Sequence, residues 1–343
     1  MSKHSAGWTA LVSALAVLGL GIGVLSVPVP FVIWSAGALS DLYADGGVVV
    51  SGTDTYPVTG HLEVADVAVS ATDEVRFGTA LSAFYSQDRA VLPQAVSFLS
   101  GQPIAQVAIG EQPAETQRTA EAAALNLAGL PFTRVPRVVS VVAAGPSAGE
   151  LRPGDVIGMV GATTVASVAE FNQAVATHSI GDTVQLTVTR DGKQLDAPVD
   201  VVAQASKAGQ PTPSLGVTMT DSYLLGTVEV QGAPTTMGSG LMLAIALYDM
   251  VTPGPLLGGL TVAGAGQVDA NGVVSGVAGT NERLRAAQAG GADVFLLPAS
   301  NCANAPLTGL TMTIVAVTSL QQAVTSLKIL STGGTLGVPT CQS

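Results

Sequence analysis

GSGLMLAIALYDMVTPG, residues 238–254, and VAGAGQVDANGVVSGVAGTNERLRAAQAGGADVFLLP, residues 262–298, decide how the last third of this chain is read. The apolar run after Gly240 predicts a helix over Gly240–Met250, and further helices are expected at Glu282–Gly290 and Ser319–Leu327. Asp293–Leu297 and Thr311–Val317 read as strands. Helices interleaved with short apolar strands imply an α/β or α+β multidomain fold.

The two quoted stretches resemble the proteolytic domain of Lon-type serine peptidases, in a membrane-anchored branch that also carries a PDZ module. In that family the first stretch reads roughly GPSAGLM, with a serine nucleophile, and the second GG-x-x-x-K, with a lysine as general base. Aligning on Gly240-Leu241-Met242 puts Gly238 at the serine position. Aligning on Gly291-Ala292-Asp293 puts Arg283 at the lysine position. The resemblance therefore implies a Lon-like scaffold over residues 213–343 with a degenerate dyad.

A Ser-Lys dyad needs a desolvated lysine that can shed its proton and take one from the serine. A guanidinium stays protonated and has no acceptor lone pair, so Arg283 cannot serve. No histidine occurs after residue 213, and the one lysine there is Lys328 in the expected last helix. Carboxylates such as Glu229, Asp249, Glu282 and Asp293 are weighed as bases, Asp249 and Asp293 more as structural groups. Ser239, one residue from the aligned nucleophile, is a weak catalytic candidate. A serine at a helix start is more often an N-cap or an inert small residue. Two functions stay open: a pseudo-protease that binds peptides, or an active serine endopeptidase using Ser239.

Residues 129–204 resemble a PDZ domain. Arg137–Ala143 is a β-branched run, followed by Gly149-Glu150-Leu151-Arg152-Pro153-Gly154-Asp155-Val156-Ile157. A helical segment Val168–Thr177 comes next, then a hairpin at Asp191-Gly192. Such domains bind an extended chain end by strand addition. The resemblance implies a carboxylate nest at Gly129-Leu130-Pro131-Phe132, and a pocket lined by Val168, Phe171 and Val175, which are equally read as core. Gly145-Pro146-Ser147-Ala148-Gly149 spells the same five letters as the Lon nucleophile motif. Its continuation ELRPGDVI is no helix, so Ser147 is read as a loop residue.

The chain has 343 residues, a net charge of −11, 48% hydrophobic and 11% charged residues. With few basic residues and none clustered, a nucleic-acid partner is not expected. From Ser5 to Ser40 there is no charged residue, and Thr9–Val27 is almost wholly apolar or small. This predicts a transmembrane helix within residues 1–40, with a cleaved signal peptide as the alternative. Lys3 before it and Asp41 after it favour a single-pass cell-membrane protein whose bulk is extracytoplasmic. Residues 41–128 read as strands, with Gly46–Ser70 alternating, and then as a helical spacer over 72–128. His61 reads as a structural or surface histidine. Residues 203–212 read as a linker. In an exported chain Cys302 and Cys341 are expected as one disulfide, with two buried thiols as the alternative. No cofactor and no metal are expected. The membrane, a peptide or unfolded-protein ligand at the PDZ module, and a homo- or hetero-oligomer with Lon-like relatives are the expected partners.

Overall fold

The computed structural model describes residues 3–44, 47–70, 75–86, 89–93, 98–99, 102–103, 113–195, 199–205, 212–226, 228–232 and 238–341. Most of the expected linker, residues 206–211, and much of the expected spacer, residues 104–112, lie outside them.

In chain order the elements are α1 (Lys3–Leu25), β1 (Phe31–Asp41), β2 (His61–Val69), α2 (Phe77–Phe84), β3 (Arg89–Pro93) and α3 (Pro113–Ala128). There follow β4 (Thr133–Val141), β5 (Val156–Val160), α4 (Val168–Ala176), β6 (Thr183–Arg190), β7 (Val199–Val202) and β8 (Val217–Leu224). The last third holds α5 (Gly240–Val251), β9 (Thr261–Gly264), α6 (Thr280–Gly290), β10 (Val294–Pro298), β11 (Thr313–Val317) and α7 (Leu320–Ser331). Within the expected spacer, Arg89–Pro93 is a strand, because it pairs antiparallel with β1 and sets Val91 opposite Ile33. Such pairing outweighs local helix preference.

The chain divides into two compact units, Met1–Leu127 with Val230–Ser343, and Ala128–Glu229. In the first, six strands run in the order β11-β10-β9-β2-β1-β3. β9 is parallel to both β2 and β10, and β10 to β11, while β1 is antiparallel to β2 and β3. Successive strand residues face opposite sides, so each sheet face has its own core. Leu62, Val64, Val262, Val294, Leu296 and Val315 pack with α3, α5 and α7. Ala263, Phe295 and Leu297 pack with Leu284 and Ala287 of α6. The helix α5 is buried nearly all round, as its unbroken apolar run requires. Each fully buried Leu or Ile there contributes about 2 kcal/mol. Asp249 survives in that helix because Tyr43 Oη (2.8 Å) and Leu256 N (3.3 Å) donate to its carboxylate. A Cys302–Cys341 disulfide, with Cα atoms 5.4 Å apart, ties the C-terminal segment to the turn after β10.

In the second unit the sheet order is β6-β5-β4-β8, with Lys193–Gln194 on the outer edge of β6 and β7 also paired to β6. The hairpin at Asp191-Gly192 pairs Arg190 with Lys193. Val138, Ile157, Val160, Leu186 and Val201 close over Phe171 and Val175 of α4.

The expected transmembrane helix is corrected. Among the described residues no helix is long and apolar enough to cross a membrane. α1 ends at Leu25, short of the expected Val27, and its first two turns hold Lys3, His4, Ser5 and Thr9. The single-pass cell-membrane placement that rested on it is corrected with it.

Candidate functional site

Two places in the molecule hold the residues singled out in the sequence. The first is the edge of the sheet in the Ala128–Glu229 unit. α4 starts at Ser167, whose hydroxyl accepts from Glu170 N (3.2 Å), while Glu170 Oε2 accepts from Ala166 N (2.8 Å). Ser167-Val168-Ala169-Glu170 is thus a capping arrangement that sets where the helix begins. Asp221 Oδ1 on β8 accepts from Val168 N at 2.7 Å and fixes the helix start against that strand. α4 also packs on Pro213–Ser214, just before β8. The helix and β8 therefore run side by side.

β8 pairs along its length with β4, from Val217↔Val141 to Leu224↔Thr133, and is the terminal strand of the sheet. Val142 N donates to Gly216 O (2.9 Å). That bond makes Val217 and Val141 a non-hydrogen-bonded pair, so the N–H and C=O of Val217 point away from β4. Val217 and Met219 pack their side chains on the same core as Phe171 and Val175, while Thr218 is exposed. Just ahead of the strand, Leu215 is buried, and Gly216 takes φ +70, where a Cβ would lie 2.7 Å from Pro146 Cδ. That loop needs glycine.

Of the expected binding residues, Val168, Phe171 and Val175 share α4. Phe171 and Val175 are core, and Val168 is half buried. Leu130 and Phe132 stand at the other end of β8 from Gly216. Phe132 meets Tyr223 edge to face, with ring centroids 5.7 Å apart. Gly216 and Tyr223 are roughly 23 Å apart along a strand. At the opposite end of β8, the loop Ser214-Leu215-Gly216-Val217 adjoins α4 through Ser214. The apolar-Gly-apolar triplet Leu215-Gly216-Val217 leads into the alternating VTMTDSYL shortly after the linker.

The second place is the start of α5. Gly238 has φ +76, and a Cβ built on it would lie 2.9 Å from Val277 Cγ1 and 3.3 Å from Arg283 Nη2. Arg283 is 2% exposed. Its Nε donates to Ala278 O (3.0 Å), and its Nη1 donates to Ala65 O. Burial pulls this guanidinium below its usual range, with Asp66 and Glu282 opposing the shift. It remains a cation. Ser239 is buried and makes no side-chain cap hydrogen bond.

The other weighed groups have structural surroundings. Asp293 Oδ2 accepts from Thr261 N (2.9 Å), Lys328 Nζ reaches Tyr248 Oη (3.3 Å), Glu282 is buried and Glu229 exposed. His61 Nδ1 lies 2.8 Å from Asp41 Oδ2 on the surface, and that bond raises the imidazole above its ordinary value. Among the described residues no group of three or more His, Cys, Asp or Glu side chains could hold a metal ion.

Residues 108–201 match the PDZ domain family, so the chain contains a PDZ domain. Over 78 residues, 22% of this chain, it is 40% identical to the serine protease Do-like HtrA of Lactococcus lactis, of which the match covers 19%. The PDZ domain of the SdrC-like protein of Listeria monocytogenes is similar at 27% identity, over 24% of this chain and 85% of that one, with a TM-score of 0.23. A solution structure from Geobacillus thermodenitrificans is similar at 29% identity, over 24% of this chain and 92% of that one, with a TM-score of 0.22.

Proposed function

We propose that this chain captures peptide or protein ends by adding them as a strand to the free edge of β8. The backbone amides of Gly216 and Val217 receive the terminal carboxylate, and α4 forms the opposite wall. One observation carries this reading: β8 is satisfied on its β4 side, and among the described residues no strand covers its other side, next to an apolar helix face. Strand addition supplies main-chain hydrogen bonds, and alternate side chains supply selectivity. The last residue and the one two before it would then face Val175 and Val168, which favours an end of the form apolar-x-apolar.

Fluorescence polarisation of decapeptides with such ends, free as carboxylates, tests the reading on the full chain. Val168→Glu is expected to weaken binding at least tenfold. Equal affinity for both proteins rejects the groove.

A second reading, of a Lon-like domain over residues 213–343 without peptidase chemistry, is supported by the contact between Gly238 and Arg283. The two aligned dyad positions are neighbours in space, yet one offers no side chain and the other only a cation. A fluorophosphonate probe is expected to leave the protein unlabelled. Labelling of Ser239 that is lost on heat treatment would instead favour the active serine endopeptidase.

A further inference from the structure

We infer that Ser147 is a positioning residue for the carboxylate end of the groove, an inference that rests on the strand-addition reading above. Ser147 belongs to the turn Gly145-Pro146-Ser147-Ala148-Gly149, far in sequence from β8. It is fully buried, and its Oγ donates to Leu215 O at 2.6 Å.

The consequence follows from peptide planarity. In a trans peptide the C=O of one residue and the N–H of the next point in opposite directions. Ser147 draws the Leu215 carbonyl inward, so the Gly216 N–H turns outward. Val142 N holds Gly216 O on the β4 side, so the Val217 N–H turns outward as well. Successive amides turned to one side around a left-handed residue form an anion-binding concavity. Gly216 supplies that residue with φ +70. Among the described residues the Gly216 N–H meets its neighbour's hydroxyl, Ser214 Oγ, at 3.2 Å, a contact that a carboxylate oxygen would replace with a stronger, charge-assisted bond. Pro146, 2.7 Å from a would-be Cβ on Gly216, braces the same loop from behind. The turn that spells a nucleophile motif thus acts through Leu215 on a binding loop.

The test uses the full chain. A random decapeptide library with free carboxylates is panned on the wild-type protein, with Val168→Glu as the negative control. The best binder is then made as the acid and as its C-terminal amide. Ser147→Ala is expected to weaken the acid about five- to tenfold, the value of one hydrogen bond, and the amide less than twofold. Ser147→Cys, a weaker donor of similar size, should fall between and carries the comparison if the alanine variant does not fold. No selection over Val168→Glu overturns the groove and this inference together. Selection with an unchanged acid-to-amide ratio in both Ser147 variants overturns this inference alone and leaves the groove standing.

Discussion

Arg283 Nη2 lies 3.3 Å from the place a Cβ would occupy on Gly238, so the two residues share one small volume. A side chain at 238 and a guanidinium at 283 compete for it. Val277, whose backbone is held by both ends of the Asn301 amide (3.0 and 2.7 Å), closes the remaining side.

Introducing a serine here should therefore harm the fold before it could help any reaction. At φ +76 an L-residue pays about 1–2 kcal/mol, and the contact with Val277 adds about 1–3 kcal/mol of overpacking. Gly238→Ser should lower the urea midpoint by an amount equivalent to about 2–5 kcal/mol, and casein cleavage should stay at background with or without Arg283→Lys. A neutral effect on stability would show that the loop at 238 yields.

Arg283 joins β2, through Ala65 O, to the turn before α6, through Ala278 O. Removing it leaves two carbonyls without this donor and a cavity beside Gly238. Arg283→Ala is expected to cost about 3–5 kcal/mol in urea unfolding. A loss below about 1 kcal/mol would mean that water takes over both carbonyls.

Glu121 on α3 is buried, and that burial raises its carboxyl to about 7 despite the hydrogen bond from Gln117 (2.7 Å). The folded chain thus binds this proton more tightly than the unfolded one, whose value is near 4.5. Its contribution is greatest below pH 4.5, declines between 4.5 and 7, and is flat above. The decline amounts to at most about 3 kcal/mol. Glu121→Gln should remove that slope from stability measured against pH, and an unchanged slope would assign it to another group.

The Cys302–Cys341 bridge closes a span of 39 residues. Loop-closure entropy puts its stabilisation at about 4 kcal/mol, if native geometry is unaffected. Dithiothreitol, or Cys302→Ser with Cys341→Ser, should lower the unfolding midpoint accordingly, and hydrogen exchange should rise first near residues 277–280, which Asn301 clips. Uniform exchange across the Met1–Leu127 and Val230–Ser343 unit would argue that the bridge acts only on the unfolded chain.

Local pattern was readable in much of this molecule. The apolar run after Gly240 is a core helix, Asp191-Gly192 turns a hairpin, and the two cysteines pair, because each is governed by neighbours or simple chemistry. The apolar N-terminus misled, because hydropathy alone did not show that the helix stops at Leu25. The loops at the two ends of β8 were harder to read, for a different reason. Gly129–Phe132 and Ser214–Val217 both precede strands, and only pairing tells which end lies beside α4.

By itself the sequence determined that position 283 carries a permanent cation and position 238 no side chain, facts of covalent identity that no folding can alter. Tertiary structure decided that these two meet, that Ser147 reaches Leu215, and that β8, among the described residues, ends its sheet beside α4. Such pairings join residues tens of positions apart. They depend on which faces are buried together, a choice made by the whole core and not by any local stretch.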